Sequence, residues 1–183
     1  MKATASALLL AAALLSAACG EGRAIFNVDV YSFIQGTGQD TIPYAIPPLS
    51  SGTVSNTPQK INLPPGFGSS IVDSVRITGA ANLINTAGTG TIGLRVYIDS
   101  TSAGTLNPSA LAIDVPATGV SGTATSPLVI TGDLSSALNT LFTASSLWVR
   151  MEVTGNNPGA TSVTGDMALT ALQLRVVFQD KIL

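Results

Sequence analysis

Histidine is missing from this sequence of 183 residues, cysteine occurs once, and charge is scarce, with eight Lys or Arg and ten Asp or Glu making 10% of the chain. Each shortage excludes something. Without histidine there is no Ser-His-Asp or Cys-His catalysis, and the commonest transition-metal ligand is gone. A lone cysteine can neither close an intramolecular disulfide nor hold a zinc or iron–sulfur centre. A net charge of -2 and a pI near 4.8 offer none of the basic surface that nucleic acid requires. The glycines of Gly88-Thr89-Gly90-Thr91-Ile92-Gly93 lack both a P-loop lysine and a following helix, so they are no phosphate cradle. The carboxylates from Asp29 to Asp180 are scattered, whereas a glycosidase needs two facing one cleft. The expectation is a chain that is not an enzyme, with no metal, no cofactor and no nucleic-acid partner.

What is present begins at the N-terminus. Met1-Lys2 is followed by an apolar run from Ala7 to Leu15 and then by Ser16-Ala17-Ala18-Cys19. A positive start, a short apolar core and small residues before a cut site describe a secretory signal over 1–18. The apolar run falls short of the roughly 20 residues that a spanning helix needs.

The stretch Leu15-Ser16-Ala17-Ala18-Cys19 resembles the lipobox of bacterial lipoproteins. That resemblance implies cleavage just before Cys19 and diacylation of its thiol, giving an exported, cell-envelope protein held to a membrane by lipid. The family usually has Leu three residues before the cysteine; here that place is Ser16, and Leu15 lies one residue further back. Ordinary cleavage after Ala18, leaving a free thiol, is the other reading. Two or three acyl chains, at about 0.8 kcal/mol per buried CH₂, would anchor stably where one would not. Residues 19–23 then form a short tether, reaching at most about 14 Å from Gly20 to Arg23. Residues 24–183 read as a single domain.

Period-two alternation dominates this domain and predicts strands. Phe26, Val28, Val30 and Ile34 alternate with polar residues, as do Ile71, Val75 and Ile77; Ile92, Leu94, Val96 and Ile98; Leu147, Val149, Met151 and Val153; and Leu172, Leu174, Val176 and Phe178. Shorter candidates lie at Leu111–Val115 and Pro127–Thr131, and an edge strand around Thr41–Ile46. Turn-rich breaks separate them, and the whole reads as an all-β fold, an antiparallel β-sandwich of Greek-key or jelly-roll type. One short helix is expected near 133–143, capped by Asp133, with Leu134, Leu138, Leu141 and Phe142 on one face. Asp73 interrupts an apolar series and reads as a bulge or the exposed end of a strand.

Two segments look alike, Ser74-Val75-Arg76-Ile77 through Leu94-Arg95-Val96-Tyr97, and Trp148-Val149-Arg150-Met151 through Leu174-Arg175-Val176. Read as two hairpins, they suggest either a duplication or convergence on one hairpin chemistry. By the alternation Arg76, Arg95, Arg150 and Arg175 point away from the core, sharing their faces with Tyr97 and Trp148. Cross-strand spacing of about 5 Å would let Arg76 meet Asp99, and Trp148 meet Arg175. Such a face would suit a polysaccharide or an envelope-protein partner, against the blander reading of solvent-facing pairs. The functional expectation is a lipid-anchored binding or structural module. A subunit of a surface fibre or layer, assembled by strand exchange, is the alternative.

Overall fold

The computed structural model describes residues 22–63, 71–135, 141 and 144–180. Ten strands build two antiparallel sheets. Sheet A contains β1 (Gly22–Asp29), β2 (Thr41–Ile46), β5 (Ile71–Ala87), β8 (Ala124–Asp133) and β10 (Val163–Asp180). Sheet B contains β3 (Ser50–Ser55), β4 (Gln59–Asn62), β6 (Thr89–Asp99), β7 (Leu111–Ser121) and β9 (Ser146–Asn157). One helical turn, α1 (Tyr31–Ile34), separates β1 from β2.

Each sheet fills its first position with two short strands. β1 pairs with residues 173–180 of β10 and β2 with residues 163–168, while β5 takes the other edge. Likewise β3 and β4 share one edge of β9, and β6 takes the other. Counting each shared position once, the orders are β1/β2–β10–β5–β8 and β3/β4–β9–β6–β7, and the chain crosses between sheets as a jelly roll does. The expected all-β sandwich is the observed fold.

Alternation places Ile42, Tyr44 and Ile46 of β2 inward, and likewise Ile92, Leu94, Val96 and Ile98 of β6 and Leu172, Leu174, Val176 and Phe178 of β10. They belong to one buried cluster drawn from both sheets. Each such side chain contributes roughly 1.5–3 kcal/mol on burial. Tyr44 keeps its hydroxyl paired by donating to Asn85 Oδ1 at 3.0 Å. Burial and, to a lesser degree, the charge of Asp166 push the Tyr44 pKa up to about 12.

Several local expectations change. The strand expected to run on to Ile34 stops at Asp29, and Tyr31–Ile34 coil into α1, closed by Gln35 N–H on the Tyr31 carbonyl at 2.8 Å. Asp73 is the extra residue of a bulge, since Ser74 pairs with Val177 and Val72 with Phe178. Most of the expected helix over 133–143, Leu138 and Phe142 included, lies outside the described residues. Asp133 ends β8, and its carboxylate accepts from Ser135 N–H at 2.9 Å and from the Ser135 hydroxyl.

The two supposed hairpins are not hairpins. β5 and β6 lie in different sheets, as do β9 and β10. The β5–β6 corner turns at Gly88, whose φ of +80° suits glycine, and a Cβ there would lie 2.4 Å from the Ser162 carbonyl oxygen. The pairing that does form is β5 with β10 and β6 with β9.

Two buried asparagines fasten the turns at this end of the sandwich. Asn85 donates to the carbonyls of Ala87 at 3.1 Å and Gly122 at 2.5 Å. Asn157 donates to Ile46, Pro47 and Thr161, all within 3.0 Å, and accepts from Gly159 N–H at 2.9 Å. Each buried amide is therefore satisfied by carbonyls contributed by more than one turn.

Candidate functional site

The outer face of sheet B carries Arg95 and Tyr97 on β6 and Trp148 and Arg150 on β9. Tyr97 lies opposite Arg150, and Arg95 opposite both Glu152 and Asp114. Tyr97 OH donates to Glu152 Oε1 at 3.0 Å, and Arg150 Nη1 holds Glu152 Oε2 at 2.9 Å. Arg150 Nε donates to the Thr105 carbonyl at 3.0 Å, and its guanidinium carbon sits 4.2 Å from the Tyr97 ring centroid. Arg95 donates to Tyr97 OH at 3.2 Å and pairs with Asp114 through Nε. These two hydrogen bonds hold the Arg95 guanidinium even more firmly protonated than usual.

A loop closes over this cluster. Asp99 Oδ1 accepts the Thr101 N–H at 2.9 Å and the Thr101 hydroxyl at 3.1 Å, turning the chain into a single 3-10 turn at Gly104–Leu106. Thr105 is fully buried by it, while Arg150 and Tyr97 are each 6% exposed. Chemically this is a closed ion-pair network around one stacked guanidinium. Trp148, half-buried, lies opposite Lys60 and Asp99 in register.

The outer face of sheet A carries the other two arginines. Arg76 on β5 and Arg175 on β10 are exposed and stand directly opposite one another in register. Across the same row, Asn27 of β1 lies beside Arg175 and Asp133 of β8 beside Arg76. A depression of about 150 Å³ is lined by Ser74, Arg76, Arg175 and Val177. Arg23 and Asp73 make an exposed pair nearby at 3.9 Å.

The six expected binding residues thus fall on two opposite faces of the sandwich. Arg95, Tyr97, Trp148 and Arg150 share one; Arg76 and Arg175 share the other. The expected meetings do not occur: Trp148 faces Asp99 in place of Arg175, and Arg76 faces Arg175 and Asp133. The reason is topological: β5 and β6, like β9 and β10, are adjacent in sequence but lie in different sheets, and the pairs that form are β5 with β10 and β6 with β9. Sequence reasoning missed the cover over Arg150 and the Asn85 and Asn157 clamps. The signal for the clamps was two asparagines near the ends of alternating apolar strands, where an unsatisfied amide would be costly.

Two further observations bound the chemistry. Among the described residues no group of three or more His, Cys, Asp or Glu is gathered to hold a metal ion, and no helix is long and apolar enough to cross a membrane. Cys19 and its flanking motif lie outside the described residues.

No protein-family model and no curated protein matches the chain. Among solved structures it is similar to one of infectious bursal disease virus, Gx strain, at 10% identity and a TM-score of 0.51, covering 89% of this chain and 35% of that one. A structure of the Gt strain of the same virus gives 8% identity and a TM-score of 0.47, with 85% and 36% covered. The chain therefore spans about a third of the length of these structures, and at such identity the likeness to the first is one of fold alone. By its own geometry and by that likeness, this is a β-sandwich module.

Proposed function

We propose that the protein is a lipid-anchored module of the bacterial cell envelope that binds or builds and performs no catalysis. The observation that carries this reading is the placing of β1. It starts at Gly22, so only Gly20 and Glu21 separate it from the lipobox-type Cys19. Acylated there, the sandwich would be held close against the membrane by the end bearing Gly22 and Asp180, opposite the end fastened by Asn85 and Asn157. Its outer faces would remain open to a polysaccharide or an envelope protein. The network on sheet B already occupies Arg95 and Arg150, whereas Arg76 and Arg175 on sheet A stand exposed.

The test is the intact mass and N-terminus of the protein from its native membrane fraction. A mass starting at Cys19 with added acyl chains is expected. An unmodified chain starting at Cys19 would overturn the anchor. SDS-resistant polymers with an N-terminus at Ala24 would replace the reading with a released fibre subunit, since that cut follows Arg23 inside β1.

A further inference from the structure

We propose that Arg76 and Arg175 form a binding site for a tetrahedral oxyanion, a phosphate group, on the outer face of sheet A. The inference rests on the binding-module reading and is independent of the lipid anchor. Like charges directly opposite on neighbouring strands stand about 5 Å apart and repel. Here that arrangement stands on an exposed face. Among the described residues Arg175 has neither an ion pair nor a hydrogen bond from its side chain. An oxyanion between the two guanidinium groups turns repulsion into attraction, because each planar fork can direct two N–H groups at oxygen.

The surroundings fit one small group. The depression between the arginines is about 150 Å³, with Ser74 supplying a hydroxyl and Val177 an apolar wall. Asn27 stands next to Arg175 in the same row and adds an amide donor at the edge of the site. Asp133 is the opposing charge, next to Arg76. Its Oδ1 accepts from the backbone N–H and hydroxyl of Ser135, and its charge acts on Arg76, which leaves Arg175 the less compensated of the two cations. Asp73, the next carboxylate along β5, is paired with Arg23, and Asp29 lies on β1 beside Gln173. Arg175 is therefore the principal donor and Arg76 the second. The arginines of sheet B cannot do the same, because Glu152, Asp114 and the Thr105 carbonyl already take their N–H groups.

The test follows arginine side-chain Nε–H signals by NMR in the full, isotope-labelled chain held in nonionic detergent. Inorganic phosphate is titrated at constant ionic strength. Saturating shifts confined to Arg76 and Arg175 are expected, with R175Q weakening the binding about tenfold or more, the loss of one charge-assisted contact, and R76Q weakening it less. Shifts that never saturate, or that appear equally at Arg23, would mean charge screening alone and overturn the site. Unchanged affinity in R175Q, with a native spectrum, would overturn it too. Competition then identifies the source. Displacement by dihexanoyl phosphatidylglycerol points to a lipid headgroup, and stronger displacement by a sugar phosphate points to a glycan. The mass measurement on Cys19 is untouched by any of these results, so loss of this site and loss of the anchor remain distinguishable.

Discussion

The two outer faces carry the same residue in nearly the same local sequence and treat it oppositely. On sheet B, Arg150 follows Val149 and precedes Met151, stacks on Tyr97, binds Glu152 and disappears beneath the Gly104–Leu106 turn. On sheet A, Arg76 follows Val75 and precedes Ile77, and projects into solvent opposite another arginine. The strand alone does not decide which. A guanidinium becomes structural when its register neighbours are a carboxylate and an aromatic ring, and when a loop excludes water above it. Arg76 has a carboxylate neighbour in Asp133 but stands opposite a second arginine and stays exposed, so it remains a solvated cation.

This contrast can be broken, and the largest expected effect breaks it best. Arg150→Ala should cost about 3–5 kcal/mol, because the largely buried Glu152 would lose its counter-charge, keeping only the Tyr97 hydroxyl, and the Thr105 carbonyl would lose the Arg150 donor. Equilibrium denaturation in urea measures this, and a loss below 1 kcal/mol would make the network ornamental. Tyr97→Phe keeps the ring beneath Arg150 but removes the hydroxyl joining Arg95 to Glu152, for an expected loss of about 1–2 kcal/mol. A double-mutant cycle on Arg95 and Asp114 should give less than about 1 kcal/mol, since both side chains are substantially exposed. That coupling should also shrink at high salt. Arg175→Gln should be neutral or stabilising by a few tenths of a kcal/mol, because it relieves a like-charge pair. If Arg175→Gln destabilised the fold as much as Arg150→Ala, the two faces would not differ in kind.

Much of the fold was legible. The alternation in Ile92–Ile98, Leu147–Val153 and Leu172–Phe178 marked strands and their inward faces, and Thr41–Ile46 was marked as an edge. β3 escaped notice, as Ser50-Ser51-Gly52-Thr53-Val54-Ser55 has little apolar content and only half-buries alternate residues. Strand pairing was less legible than strand existence. A turn such as Ala87-Gly88-Thr89 reads identically whether the chain doubles back within a sheet or crosses to the other one. That single ambiguity divided the expected arginine face into two and gave Trp148 and Arg76 the wrong partners. The cover over Arg150 was beyond reach of the sequence, because it depends on where Asp99 sends a loop after the sheet has formed. The like-charge pair of Arg76 and Arg175 was similarly hidden, as the two residues are brought together only by β5 pairing with β10.

The shared outer position of sheet A has a mechanical consequence. β1 starts at Gly22, opposite Asp180, and runs antiparallel along the last third to half of β10. A pull on the N-terminus, directed away from the domain, acts along the axis of β1. The hydrogen bonds to β10 lie across that axis, so the pull loads the register from Gly22 to Asp29 in shear, all pairs together. It does not peel them one by one. Beyond Asp29 the load reaches α1 before it reaches β2, so the helical turn serves as slack that isolates the rest of the sheet. If the chain is anchored at Cys19 as proposed, β1 is the strand that bears such a pull.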